Sequence, residues 1–559
     1  MKKKLIILMA LVLAFSLLVG CGGDTKPAES TEGEAPAETT EAATSEGEAA
    51  TEAGAEVAET SAEDGAPVDG GELTIGLSAN IAHLDPIKYT ALYESNVMRS
   101  VYNTLVVYNE DMTQIMPSLA TEWSISEDLL NYTFKLRDDV YFQAGKFQEG
   151  RKMVAEDVKY SLLRSLNDSA MNRVRYIQDI TVNSETELVV TLERPYSPFL
   201  VMLTDMGNAI VPQEEVEGHG DDFGRNPVGT GPFQFVEWQA DSYVRLERHD
   251  KYWGDKPHLD SVRFNIITDG NMMGNSLQSG DIDMATQLSG QNVELIKKND
   301  KLVLDQIPGL SIGYFAFNLT EGPTADLKVR QAMNWALNRE ELVAGVYKFG
   351  EAKPLYLPLP SASWGFSDEA AEIVKSSSGG DVEKAKALLA EAGYPDGFDL
   401  ELYCAASRVP AATIVQAQMQ KIGINVSINS VEWGTFSDIV SQGKAQSYIM
   451  GWSWYPDPDF FLFQMLHSNQ IGALGNGGGY NNPEVDKILD EATSVTSDQA
   501  ERTQMYGEAL KLIAADLPHL DLYDQDVITG LSNRVKGYTS RPDQTIIIVG
   551  DGVNVWLED

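Results

Sequence analysis

The pattern of apolar and polar positions divides the chain into three stretches. Residues 5–19 are apolar except for Ser16, a run of about fifteen that falls short of the roughly twenty needed for a bilayer-spanning helix. Residues 22–70 hold no aromatic and almost no branched apolar side chain. Such a stretch cannot offset the entropy of ordering, so it is predicted to be an extended tether. From Gly71 the pattern changes to mixed strands and helices. Tyr132-Thr133-Phe134-Lys135-Leu136, Val244-Arg245-Leu246-Glu247 and Val262-Arg263-Phe264-Asn265-Ile266 alternate with period two, which predicts half-buried strands. Asp381 is placed to cap a helix carrying Ala385, Leu388 and Leu389 on one side, with Gly393 and Pro395 as stop signals. Asn482-Pro483 opens another, bearing Val485, Ile488 and Leu489, and a third runs from Asp326 through Val329, Met333, Ala336 and Leu337. Strands alternating with helices along about 490 residues predict an α/β architecture with more than one sheet. No period of 20 to 50 residues repeats, which disfavours a solenoid.

The flanks of the apolar run assign it. Lys2, Lys3 and Lys4 precede it and Gly20 and Cys21 follow, the layout of an export signal over residues 1–20. Leu18-Val19-Gly20-Cys21 resembles a bacterial lipobox, which implies that Cys21 receives a diacylglyceryl group and becomes the first mature residue. Acyl chains would anchor the protein by burying CH2 groups at about 0.8 kcal/mol each. Residues 21–70, with Pro27, Pro36 and Pro67 among them, would let a globular body stand on the order of 40 Å from the membrane. Cys404 is then the single remaining thiol, so no internal disulfide is expected and Cys404 reads as a small buried hydrophobe.

Charge and motifs exclude several function classes. Asp and Glu number 83 against 42 Lys and Arg, a net charge of −41 over 559 residues. Fourteen of the acids and one base, Lys26, lie in residues 22–70, which leaves about −31 for residues 71–559. A body that acidic offers no basic stripe to displace counterions from a phosphate backbone, so nucleic acid is not an expected partner. The six histidines, at 83, 219, 249, 258, 467 and 519, form no His-Glu-x-x-His and no close pair with metal-ligand spacing. No Gly-x-Ser-x-Gly elbow occurs, and Gly475-Asn476-Gly477-Gly478-Gly479 lacks the Gly-Lys-Ser/Thr ending of a phosphate-cradling loop. Asp457-Pro458-Asp459 lacks the spacing of an EF-hand and reads as a turn or helix cap. The expectation is a protein that is not an enzyme and takes no cofactor or metal.

A series of local strings points further. Gly70-Gly71-Glu72-Leu73-Thr74-Ile75-Gly76 leads to Leu84-Asp85-Pro86, Val101-Tyr102-Asn103-Thr104-Leu105, Pro117-Ser118-Leu119-Ala120 with Trp123, and the strand string above continued by Arg137-Asp138-Asp139-Val140. Then come Ala155-Glu156-Asp157-Val158, Pro227-Val228-Gly229-Thr230-Gly231-Pro232-Phe233, Tyr252-Trp253-Gly254 and Val329-Arg330-Gln331-Ala332-Met333-Asn334. Leu388-Leu389-Ala390-Glu391-Ala392-Gly393-Tyr394 and Asn482-Pro483-Glu484-Val485-Asp486 complete the set. In this order they resemble the family 5 extracellular solute-binding proteins, the peptide and nickel receptors of ABC importers, over essentially all of residues 71–559. The resemblance implies a two-lobed, periplasmic-binding-protein-like α/β fold of type II, with an extra subdomain in the first lobe. Residues 71–313 would form lobe I, 314–527 lobe II, and 528–559 a C-terminal return to lobe I, with crossings near residues 314–318 and 522–527.

The same resemblance implies the ligand site. Thr90, Ala91 and Leu92 match an extended edge that pairs its main chain with a peptide ligand, and Gly451, Trp452 and Ser453 would lie opposite. Trp452, Trp454 and Tyr455 would supply flat apolar walls, or else ordinary core at a strand end. Peptide-binding relatives carry an Asp shortly after the Gly-Trp pair to hold the ligand's ammonium group, and this string is one residue shorter with no Asp between Trp452 and Tyr455. Either Asp457 or another acid takes that role, or the ligand lacks a free amino terminus. Two lesser departures are Asn338, where relatives have Asp, and Val154, where a Thr or Ser helix cap is usual. The implied protein is a monomeric, lipid-anchored receptor on the outer face of a bacterial cell membrane, periplasmic if the cell has two membranes. It would capture a peptide or peptide-like solute, or alternatively a saccharide, opine or nickel chelate, and deliver it to an ABC permease and its ATPase subunits.

Overall fold

The computed structural model describes residues 66–558 other than 170, 172, 287, 289 and 551. The expected export signal, Cys21 and the expected tether up to residue 65 lie outside the described residues. The folded body is tied down slightly before Gly71. The Asp69 carboxylate meets His258 Nδ1 at 2.7 Å and Lys256 Nζ at 3.2 Å, and the Gly70 amide donates to the His258 carbonyl at 2.8 Å.

Local structure follows the sequence pattern where burial enforces it. In the strand Asn131–Leu136, Tyr132, Phe134 and Leu136 are buried while Lys135 is exposed, and Val262 and Phe264 are buried in Ser261–Ile266. The helices start at their expected caps. Asp326 accepts from the Lys328 amide, Asp381 from that of Lys384, and Asn482 from those of Glu484 and Val485, each satisfying a helix N–H that has no partner within its own helix. Asn338 caps the helix Arg339–Val346 by accepting from the Glu341 amide at 2.8 Å. Val154 has no side-chain acceptor, yet the helix Ala155–Asp168 does not start loosely. Asp157 in its first turn accepts the Val154 amide at 2.9 Å and is itself held by Arg151 at 2.6 Å.

Two long antiparallel strands, Leu302–Phe317 and His519–Ser532, organise the body. At one end His519–Ser532 pairs with Met284–Thr286, which leads through Glu72–Leu77, Ser261–Ile266 and Tyr243–Arg248 to Phe233–Gln239. At the other end Leu302–Phe317 pairs with Ser447–Ser453, followed by Phe398–Cys404 and Ile424–Ser430. The two halves of this sheet carry the two lobes. An antiparallel four-stranded sheet, ordered Ala120–Ile125, Asn131–Leu136, Glu187–Leu192, Ile177–Ser184, forms the subdomain inserted in the first lobe.

The ladder between the long strands shifts register at two places, between Pro308 and Ser311 and between Gly313 and Tyr314, where Leu522 of the partner strand is skipped. Pro308 faces Asp526 and Ser311 faces Gln525, so Gly309 and Leu310 bulge out, and the Leu310 amide turns to the Pro542 carbonyl at 3.0 Å. Pro308 has no amide to give to the ladder, and a side chain on Gly309 would meet the Gln525 carbonyl at 2.5 Å. Pairing with Ser447–Ser453 begins at Ser311. The first of these shifts lies upstream of the expected crossing at 314–318, and the second falls at its edge.

Candidate functional site

The expected ligand edge at Thr90, Ala91 and Leu92 is not an open strand. Ala91 caps the helix Leu92–Val101, so Leu92 is already helical. The buried Glu94 carboxylate gathers four amides: Ala82 and His83 at 2.9 Å, Thr90 at 2.8 Å and Ala91 at 3.1 Å. Four such bonds satisfy one carboxylate and leave the Thr90 and Ala91 N–H groups with nothing to offer a ligand strand.

Opposite, the geometry is more open. Gly451, Trp452 and Ser453 end the strand Ser447–Ser453 and face Gly313, Ile312 and Ser311 on one side. On the other side the neighbouring strand pairs no further than Ile449, so residues 450–453 keep a main-chain edge without a strand among the described residues. The guanidinium of Arg408 lies against this edge: a methyl group on Gly451 would come within 2.4 Å of its Nη2. Arg408 Nη1 donates to the Tyr523 hydroxyl at 2.5 Å, and the Tyr523 ring meets Tyr347 edge-on at 4.9 Å.

The aromatic residues divide by role. Trp452 donates from Nε1 to the Phe460 carbonyl at 2.9 Å and packs on the core. Trp454 stacks against both Trp452 and Phe460, with centroids at 6.0 and 6.2 Å, and remains 37% exposed. Tyr455 reaches across to the first lobe. Its hydroxyl donates to Asp205, which also accepts from Tyr89 at 2.7 Å and pairs with Arg173 at 3.2 Å. Burial, reinforced by the Asp205 charge, pushes the Tyr455 and Tyr89 hydroxyls far above the ordinary phenol range, so both stay donors at any working pH.

Asp457 is fully buried inside the second lobe, away from this edge. Both of its oxygens accept from Arg502 at 2.8 Å, and Oδ1 also takes the Asp459 amide at 3.0 Å. A carboxylate fully buried and paired bidentately with Arg502 is not placed to meet a ligand ammonium, which corrects the expectation placed on Asp457. Its neighbour Asp459 accepts the Tyr196 hydroxyl of the inserted subdomain at 2.8 Å. Burial, with the Asp457 charge beside it, pushes the Asp459 carboxyl up to about 6.

A cavity of about 280 Å³ lies between the lobes, walled by Leu92 and Thr286 of the first, Tyr347 and Glu351 of the second, the crossing strand from Gln525 to Thr529, and Arg541 of the C-terminal return. Of the residues expected at the ligand site only Leu92 lines it. Arg408, Asp205 and Arg541 were not singled out by sequence reasoning, because none sits in a motif and each has a partner more than a hundred residues away. No cluster of three or more His, Cys, Asp or Glu side chains among the described residues has metal-holding geometry.

Two lobes, a pair of crossing strands with a bulge between them and a cavity walled from both sides define a solute-binding protein of the two-lobed kind. The family model of the bacterial extracellular solute-binding proteins, family 5, matches residues 114–473, and the chain belongs to that family. It is 31% identical over 473 residues to heme-binding protein A of Haemophilus influenzae, covering 79% of this chain and 85% of that protein. To the dipeptide-binding protein of Escherichia coli K12 it is 30% identical over 475 residues, covering 79% and 87%. Among solved structures, the periplasmic binding protein DppA of Helicobacter pylori in complex with peptide STSA has a TM-score of 0.72 at 29% identity, over 88% of this chain and 99% of that one.

Proposed function

We propose that this chain is the extracytoplasmic receptor of an ABC importer, capturing a peptide or peptide-like solute between its lobes and handing it to the membrane permease. The observation that carries the reading is the cavity walled from both lobes. A ligand there touches Leu92 on one side and Tyr347 on the other, so its binding energy favours the closed form, and closure gives the permease a surface to recognise. The main-chain edge at residues 450–453 suits a peptide backbone, in keeping with the dipeptide-binding and STSA-bound relatives. The receptor works without turnover of its ligand. Acylation at Cys21 holds it on the outer face of the cell membrane, as a monomer tethered by residues 21–70.

One observation favours a second reading. With Asp457 locked on Arg502, a saccharide, opine or nickel chelate would meet no penalty for lacking an ammonium group at that place. Isothermal titration of the full chain with di- and tripeptides, sugars and nickel-histidine separates the two. Heat with peptides is expected, and heat with sugars or the chelate alone overturns the peptide reading.

A further inference from the structure

The interlobe cavity has a charged end that the described residues satisfy only in part. Arg541 is 4% exposed and lines the cavity, and of its five N–H donors only Nη2 has a hydrogen-bond acceptor, the Tyr108 carbonyl at 3.1 Å. Its Nε and Nη1 are buried without a hydrogen-bond partner among the described residues. The nearest acid, Asp543, stands 3.9 Å from Nε and is turned to Thr545, whose amide and hydroxyl it accepts at 3.0 and 2.6 Å. A buried guanidinium left this way is costly, and a bidentate carboxylate is the group that best relieves it.

The same cavity has an acidic wall. Asp526 lines it with a side chain 6% exposed, accepting from Gln306 Nε2 at 2.7 Å on one oxygen, while the other meets Lys353 Nζ only at 3.7 Å. Beside it Glu351 accepts the Phe349 amide at 2.9 Å through one oxygen. At about 280 Å³ the cavity has the volume of roughly nine waters at ~30 Å³ each, room enough for an amino acid or a dipeptide.

Resting on the receptor reading above, we propose that this cavity reads a short zwitterion, Arg541 taking the ligand carboxylate and Asp526 its ammonium group. This replaces the acid that the shortened string after Trp452 lacks with one supplied by the crossing strand. It also assigns the carboxylate to the C-terminal return and not to Arg408, which lies beyond Tyr347 and Tyr523.

The test is isothermal titration of the full chain with L-alanyl-L-alanine, its C-terminal amide and its N-acetyl form, repeated on Arg541→Gln, Arg541→Lys, Asp526→Asn and Arg408→Gln. The free dipeptide is expected to bind at least about 100-fold tighter than the amide. Arg541→Gln should abolish that preference, Arg541→Lys should keep part of it, and Asp526→Asn should abolish the preference over the acetylated form. Melting temperatures of the variants verify that each is folded, and Arg541→Lys preserves the test if Arg541→Gln is not. Equal binding of dipeptide and amide overturns the inference and leaves the receptor reading intact. A preference that survives Arg541→Gln but disappears in Arg408→Gln also overturns it. Binding of none of the three probes, together with a non-peptide mass released from the native protein, removes the peptide reading and this inference with it.

Discussion

The Arg502 guanidinium donates to both oxygens of Asp457, each at 2.8 Å, while its Nε donates to the Ala492 carbonyl and Nη2 to the Tyr506 hydroxyl. These bonds all lie inside the second lobe, so the pair holds the turn after Tyr455 to the helix Gln499–Asp516. Asp457→Ala leaves a buried cation unpaired and is expected to cost about 3–5 kcal/mol in denaturant unfolding. Ligand affinity, measured where the variant is folded, should change by less than about threefold. A large loss of affinity at unchanged stability would return Asp457 to the ligand.

Trp452 and Trp454 separate in the same way. Trp452→Ala removes a ring packed on the core together with its bond to the Phe460 carbonyl, and about 3–5 kcal/mol of stability is expected to go with it. Trp454→Ala removes a ring 37% exposed at the top of the stack and should cost under about 1 kcal/mol. Thermal denaturation of the two variants decides it, and the reverse order of melting temperatures would make Trp452 the cleft wall.

Tyr455→Phe deletes the hydroxyl that bonds Asp205 and meets Arg173 but leaves the ring's packing, and Asp205 keeps Tyr89, Arg173 and the Gly207 amide. A hydrogen bond to a charged group is worth about 1.5–3 kcal/mol. If it forms only when the lobes close, affinity should fall about tenfold or more, with little change in the melting temperature of the ligand-free protein. An unchanged dissociation constant in titration would show that this contact does not contribute to closure.

Much of the fold was legible because local patterning and burial agree. Tyr132, Phe134 and Leu136 alternate in sequence and are buried in the structure, and Asp326, Asp381 and Asn482 cap the helices that they precede. The site was less legible because its determinants are tertiary. Glu94 closes the Thr90 edge by collecting amides from two turns of chain, and nothing in the string around Thr90 announces it. Asp457 meets its guanidinium 45 residues on, and Arg541 meets Tyr108 from 433 residues away. The bulge at Gly309 could have been suspected from Pro308-Gly309 inside an apolar strand.

The Asp459 carboxyl makes stability depend on pH. Its folded value of about 6 lies above the ordinary 3.8, so the native state binds this proton more tightly than the unfolded chain. Its contribution is fully present below about pH 4 and is lost as pH rises through 6. Relative to Asp459→Asn, the native protein should therefore lose on the order of 2 kcal/mol between pH 4 and pH 7. Parallel stability profiles for the two proteins in denaturant titrations would contradict the assignment.

Native mass spectrometry of the full chain, purified without denaturation and followed by identification of what it releases, tests the receptor account most directly. The account predicts retained amino-acid or short-peptide masses, lost together when the protein is unfolded and regained on refolding with a dipeptide. A single non-peptide mass, or a protein that retains nothing and takes up no dipeptide, would contradict it.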